Sequence, residues 1–91
     1  MGLEIYLRCL VSQGVFESER IFTLETSGKV YSAIVDKSDV VYKGELKSGQ
    51  GIEGKVRVYV VKEEKDKILV QFPRDTINGW RAWIPKELFV Y

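Results

Sequence analysis

The chain has 91 residues, 45% of them apolar and 12% aromatic, with 14 basic and 13 acidic side chains for a formal net charge of +1. That is enough apolar material for one folded core without disulfides or metal, and it excludes a disordered chain. Near-neutral, interspersed charge gives no general attraction to nucleic acid or anionic membrane, and a chain with one cysteine and no histidine excludes the common zinc sites and a cysteine–histidine pair.

From Leu3 to Val11 the odd positions are Leu3, Ile5, Leu7, Cys9 and Val11, against Glu4, Tyr6, Arg8 and Leu10 on the even side. A period of two predicts a half-buried strand with its odd side inward. Gln13-Gly14 opens a loop. A second strand is expected over 20–26 and a third over 29–35, joined at Ser27-Gly28 by a tight hairpin in which glycine supplies a positive φ. Asp36-Lys37-Ser38-Asp39 has the chemistry of a turn, and 40–42 is a short extended piece after it.

Four glycines (Gly44, Gly49, Gly51, Gly54) mark 43–55 as the longest expected loop. A fourth strand over 55–62 turns Val56, Val58 and Val60 inward, and a charged turn follows at Glu63–Asp66. A fifth, 67–72, does the same with Ile68, Val70 and Phe72, and Pro73 is expected to end it because proline cannot donate to a ladder. Asn78-Gly79 signals another turn. Trp80, Ala82 and Ile84 then form an expected inward set, closed by Pro85, with one helical turn at Lys86-Glu87-Leu88 before Phe89-Val90-Tyr91. No segment carries helical periodicity long enough for a stable helix. The expectation is a single all-β domain over 1–91, a small antiparallel barrel of six or seven short strands; closure removes exposed edges.

The stretch from Ile68 to Tyr91 resembles the closing half of an SH3-like barrel. The likeness rests on strand, tight turn and strand, then Gly79 and the run Trp83-Ile84-Pro85-Lys86-Glu87-Leu88-Phe89-Val90, in which a hydrophobic–proline pair leads into a 3-10 turn and a last strand. The resemblance implies the barrel. It does not imply binding of proline-rich peptides, because the Ala-Leu-Tyr-Asp-Tyr-like opening of signalling SH3 domains is absent and Phe89 stands where their groove tyrosine falls.

Chemistry is sparse. Cys9 falls on the inward side of its strand, where a free thiol acts as a small hydrophobe. The acidic pairs and triplets at Asp36/Asp39 and Glu63/Glu64/Asp66 lack calcium-loop spacing and fit solvated turns. Gly49-Gln50-Gly51-Ile52-Glu53-Gly54 superficially resembles a dinucleotide loop, but a strand follows it rather than a helix. No catalytic residue, metal site or cofactor is expected, and the chain is not expected to be an enzyme.

One constellation stands out on the side of the sheet away from the core: Tyr6 and Arg8, Arg57 and Tyr59, Arg81 and Trp83, with Gln71 between. Three of the five arginines share this side with three large aromatics. Such residues are enriched at binding hot spots, and arginine stems also cover rings on ordinary sheet surfaces. The expected function is a non-enzymatic interaction module that binds a protein partner or itself through this face. The alternative is binding of single-stranded nucleic acid there, as small β-barrels do. The start Met1-Gly2-Leu3-Glu4-Ile5 lacks a secretory pattern, no stretch approaches the roughly 18 apolar residues of a membrane helix, and the lone cysteine fits a reducing compartment. A cytoplasmic location without a membrane partner is expected.

Overall fold

The computed structural model describes residues 3–47 and 49–90. Met1, Gly2, Ser48 and Tyr91 lie outside the described residues, so the expectations that fall on the first two residues, on Ser48 and on the terminal Tyr91 do too; for Leu3 and Val90 only the backbone is described. The elements in chain order are β1 (Leu3–Gln13), β2 (Glu19–Thr26), β3 (Lys29–Asp36), a 3-10 turn (Lys37–Asp39), β4 (Val40–Tyr42), β5 (Ile52–Glu63), β6 (Lys67–Thr76), β7 (Gly79–Pro85), a second 3-10 turn (Lys86–Leu88) and β8 (Phe89–Val90).

Every pairing is antiparallel. The main path runs β3-β2-β1-β5-β6-β7, with β4 added to β5 and β8 to β1. The β2–β3 hairpin turns at Ser27 and Gly28, whose φ of 54° and 75° are both left-handed, which is the two-residue turn that matches strand twist. At the far end of the path, the β6–β7 turn returns to β3. There the Ile77 N–H donates to the Ser32 carbonyl at 3.3 Å, and Asn78 Nδ2 donates to the Val30 carbonyl at 2.6 Å. The result is an all-β, small, nearly closed antiparallel barrel.

The period-two pattern explains the interior. Leu7, Cys9 and Val11 of β1, Val56 and Val58 of β5, Ile68, Val70 and Phe72 of β6, and Ala82 and Ile84 of β7 all point into one core cluster. The β2–β3 hairpin adds Phe22, Leu24, Tyr31 and Val35. Phe72 joins the two parts, its ring 5.4 Å from that of Phe22 and 5.3 Å from that of Tyr31. Burying each such side chain stabilises the fold by about 1.5–3 kcal/mol before the entropy of ordering it.

Three expectations are corrected. Pro73 does not end β6, which runs on to Thr76; the β6–β7 register shifts between Gln71 and Thr76, and a proline without an N–H is accommodated where the ladder is irregular. Trp80 lies where that register shifts and has no ladder partner among the described residues, and it is 53% exposed rather than inward with Ala82 and Ile84. The glycine-rich loop is shorter than 43–55, because β5 already begins at Ile52. Gly54 is the reason: a Cβ there would sit 2.7 Å from the Val41 carbonyl and 2.8 Å from Val11 Cγ2, so only glycine lets β4 close on β5 at the Tyr42–Gly54 pair. Among the described residues no helix is long and apolar enough to cross a membrane.

Candidate interaction face

The long β1–β5 ladder fixes the outer face. Tyr6 lies opposite Arg57, Arg8 opposite Lys55, Leu10 opposite Glu53, and Glu4 opposite Tyr59. The row continues from Tyr59 to Gln71 on β6 and from Gln71 to Arg81 on β7, with Trp83 facing Leu69 one step along. Tyr6, Arg8, Arg57, Tyr59, Arg81 and Trp83 therefore share one side of a four-stranded surface, Arg8 and Arg81 exposed and the other four half-buried.

Most of that chemistry is already engaged within the molecule. The Arg57 guanidinium donates from Nη2 to Asp39 Oδ1 at 2.5 Å, its Nη1 lies 3.5 Å from Glu4 Oε1, and it stands over the Tyr59 ring at 5.9 Å. Asp39 closes the first 3-10 turn, is only 7% exposed, and accepts the Asp36 N–H on its other oxygen at 3.3 Å. Burial works against the Arg57 charge, but the hydrogen bond to Asp39 and then its charge outweigh it, with Tyr59 and Glu4 adding, so the guanidinium pKa is raised. Arg57 Nε is buried without a hydrogen-bond partner among the described residues. Lys55 stands over Tyr6 at 5.8 Å and Lys67 over Trp83 at 5.1 Å, while Arg81 stands over Trp80 at 5.6 Å and donates from Nε to Gln71 Oε1 at 3.3 Å. Each ring carries a cation, and contacts of that kind are worth about 0.5–1 kcal/mol at exposed sites.

Arg8 differs. Among the described residues it makes no ion pair, and it opens onto a groove of about 910 Å³ on the same face. β1 and β5 form the floor, β4 one wall and the β2–β3 hairpin the other. Leu10 (49% exposed) and Val41 (43% exposed) stand in it with Thr23 and Val30. Arg8, Lys43 and Lys55 line it alongside Glu25 and Glu53. Arg20 holds the wall in place: its Nε donates to the Tyr42 hydroxyl at 3.1 Å, and one Nη donates to the carbonyls of Glu17 and Glu19 at 2.8 and 2.7 Å, tying β2 to β4.

Strand parity places Leu10 and Lys55 on the outer side, so the floor of the groove is readable in the sequence. The groove itself is not, because it needs β4 to pair with β5 and the hairpin to rise opposite, both long-range events. Cys9 reaches the groove only by its edge; burial pushes its thiol pKa up to about 12, which holds it protonated at neutral pH. No family model matches the chain, and no curated protein or solved structure matches it.

Proposed function

We propose that the protein is a non-catalytic interaction module that receives an extended segment of a partner protein in the groove between β4 and the β2–β3 hairpin. The observation that carries this reading is the composition of the groove: two exposed aliphatic side chains, Leu10 and Val41, among charges of both signs, Arg8, Lys43 and Lys55 with Glu25 and Glu53. A polypeptide brings apolar side chains and charges of both signs, and it fits such a lining. A nucleic-acid strand brings only negative charge along its backbone and meets two carboxylates. The Arg–aromatic face continues from the groove through Arg8 to Tyr6 on the same side of β1, with Arg57 opposite Tyr6 and Tyr59 further along β5. A protonated buried thiol disfavours nucleophilic catalysis at Cys9. The strand, 3-10 turn and final strand over 79–90 support an SH3-like barrel, with β2 to β4 inserted between β1 and β5.

A randomised library of extended peptides, screened against the intact chain with amide chemical shifts as the readout, tests this. Peptides that bind should shift the amides of Arg8, Leu10 and Val41, and Leu10→Asp should abolish the effect while leaving the fold unchanged. Shifts confined to other surfaces, or salt-dependent binding of a labelled oligonucleotide in place of peptide, would overturn the proposal.

A further inference from the structure

β7 ends the path of the sheet: it pairs with β6 on one side and, among the described residues, with nothing on the other. Which of its main-chain groups face the open side follows from the ladder. The Lys86 N–H donates to the Asp66 carbonyl at 3.1 Å, and this pair continues the register in which Lys67 meets Pro85 and Ile68 meets Ile84. In an antiparallel ladder, hydrogen-bonded and non-hydrogen-bonded pairs alternate. Asp66–Lys86 is a hydrogen-bonded pair, so Ile68–Ile84 and Val70–Ala82 are too. Arg81 and Trp83 then turn their N–H and C=O groups away from β6, into the open edge. Pro85 has the same parity, and its missing donor falls on that edge.

We infer that this edge pairs with the β7 edge of a second copy of the chain, antiparallel and centred on Ala82. In that register Arg81 of each copy faces Trp83 of the other. Each facing pair exchanges two main-chain hydrogen bonds, four in all. The two-fold axis makes the edge complementary to itself: every free donor of Arg81 meets the free acceptor of Trp83, and the reverse. Pro85, unable to donate, ends the pairing at each side. The side chains agree with the register. Arg81 comes opposite an indole on the outer face, the pairing that arginine favours. The small Ala82 meets itself at the axis. Trp80, 53% exposed, stands towards the start of the same strand. An unpaired edge carrying two tryptophans is otherwise a liability, and pairing with a second copy by a closed two-fold removes it. The surface is separate from the groove, so either assignment stands without the other.

Sedimentation velocity across a wide concentration range, with hydrogen exchange at the same concentrations, tests the inference. The native chain should shift from one copy to two as concentration rises, and the Arg81 and Trp83 amides should become protected in step while that of Glu25 does not change. Arg81→Pro removes an edge donor without touching the main-chain bonds to β6, losing there only the side-chain bond to Gln71, and it should hold the chain as a single copy. A chain that stays single throughout overturns the inference, and so does a two-copy form in which the Arg81 and Trp83 amides exchange freely. Should Arg81→Pro unfold, the exchange pattern of the native chain decides alone.

Discussion

Arg57 on β5 and Asp39 on the turn before β4 meet at 2.5 Å, and the carboxylate in that pair is the buried member. The pair pins the turn to the strand, and Val40 of β4 is then delivered opposite Val56 of β5. A charge-assisted bond of this kind to a shielded carboxylate stabilises locally while specifying where β4 docks.

Replacing Asp39 by Ala leaves the Arg57 guanidinium, 30% exposed in its side chain, without its closest partner. The loss expected is about 2 kcal/mol, at the lower end for a broken buried pair because Glu4 and solvent still reach the arginine. Urea denaturation measures it. A double-mutant cycle with Arg57→Met should show coupling between the two sites; additive losses would mean that the pair contributes nothing of its own.

Cys9 makes stability depend on alkaline pH. Its pKa rises from 9.0 to about 12 on folding, because the thiolate is unfavourable in the core. The unfolded chain releases this proton above about pH 9 and the folded chain holds it, so the contribution is fully present below pH 9 and is lost as pH rises towards 12. Cys9→Val should therefore lose less stability than the native chain between pH 9 and 11. The native thiol should also resist a thiol-specific dye at pH 8 until denaturant is added, whereas rapid labelling of folded protein would contradict its burial.

Gly54→Ala is expected to cost about 1–3 kcal/mol, since the added Cβ would overlap the Val41 carbonyl, which is backbone and cannot rotate away. The same change at Gly51, where the nearest atom is 3.5 Å away, should cost far less. Melting temperatures of the two variants give the comparison; equal losses would show that β4 does not depend on the close approach.

Phe72→Ala removes the ring that stacks on Phe22 and lies tilted against Tyr31, and a loss of about 3–5 kcal/mol is expected for a fully buried phenylalanine. Because those partners lie on β2 and β3, amide exchange should rise most in that hairpin. An even rise across the barrel would indicate that the hairpin is held by other contacts.

Much of this architecture was legible from alternation alone. Leu7, Cys9 and Val11 are buried where a period of two puts them, Arg8 and Arg81 are exposed, and Pro85 closes its strand before a 3-10 turn. Alternation breaks where the backbone leaves the regular ladder, and this is why Trp80 lies outside and β6 continues through Pro73. It also cannot see pairs distant in sequence. Nothing local announces that Asp39 takes Arg57, or that Lys67 covers Trp83, so a face that looks like free binding chemistry in one dimension holds much of its charge internally in three. The groove escaped for the same reason, being made by the rise of one hairpin opposite β4.

β1 has neighbours from both ends of the chain: β2 follows it directly, and on the same edge Leu7 meets Phe89 of β8. One half of that edge is satisfied by a short, local loop closure and the other by a strand far away in sequence, so the Leu7 end of β1 carries a larger closure entropy than the Val11 end.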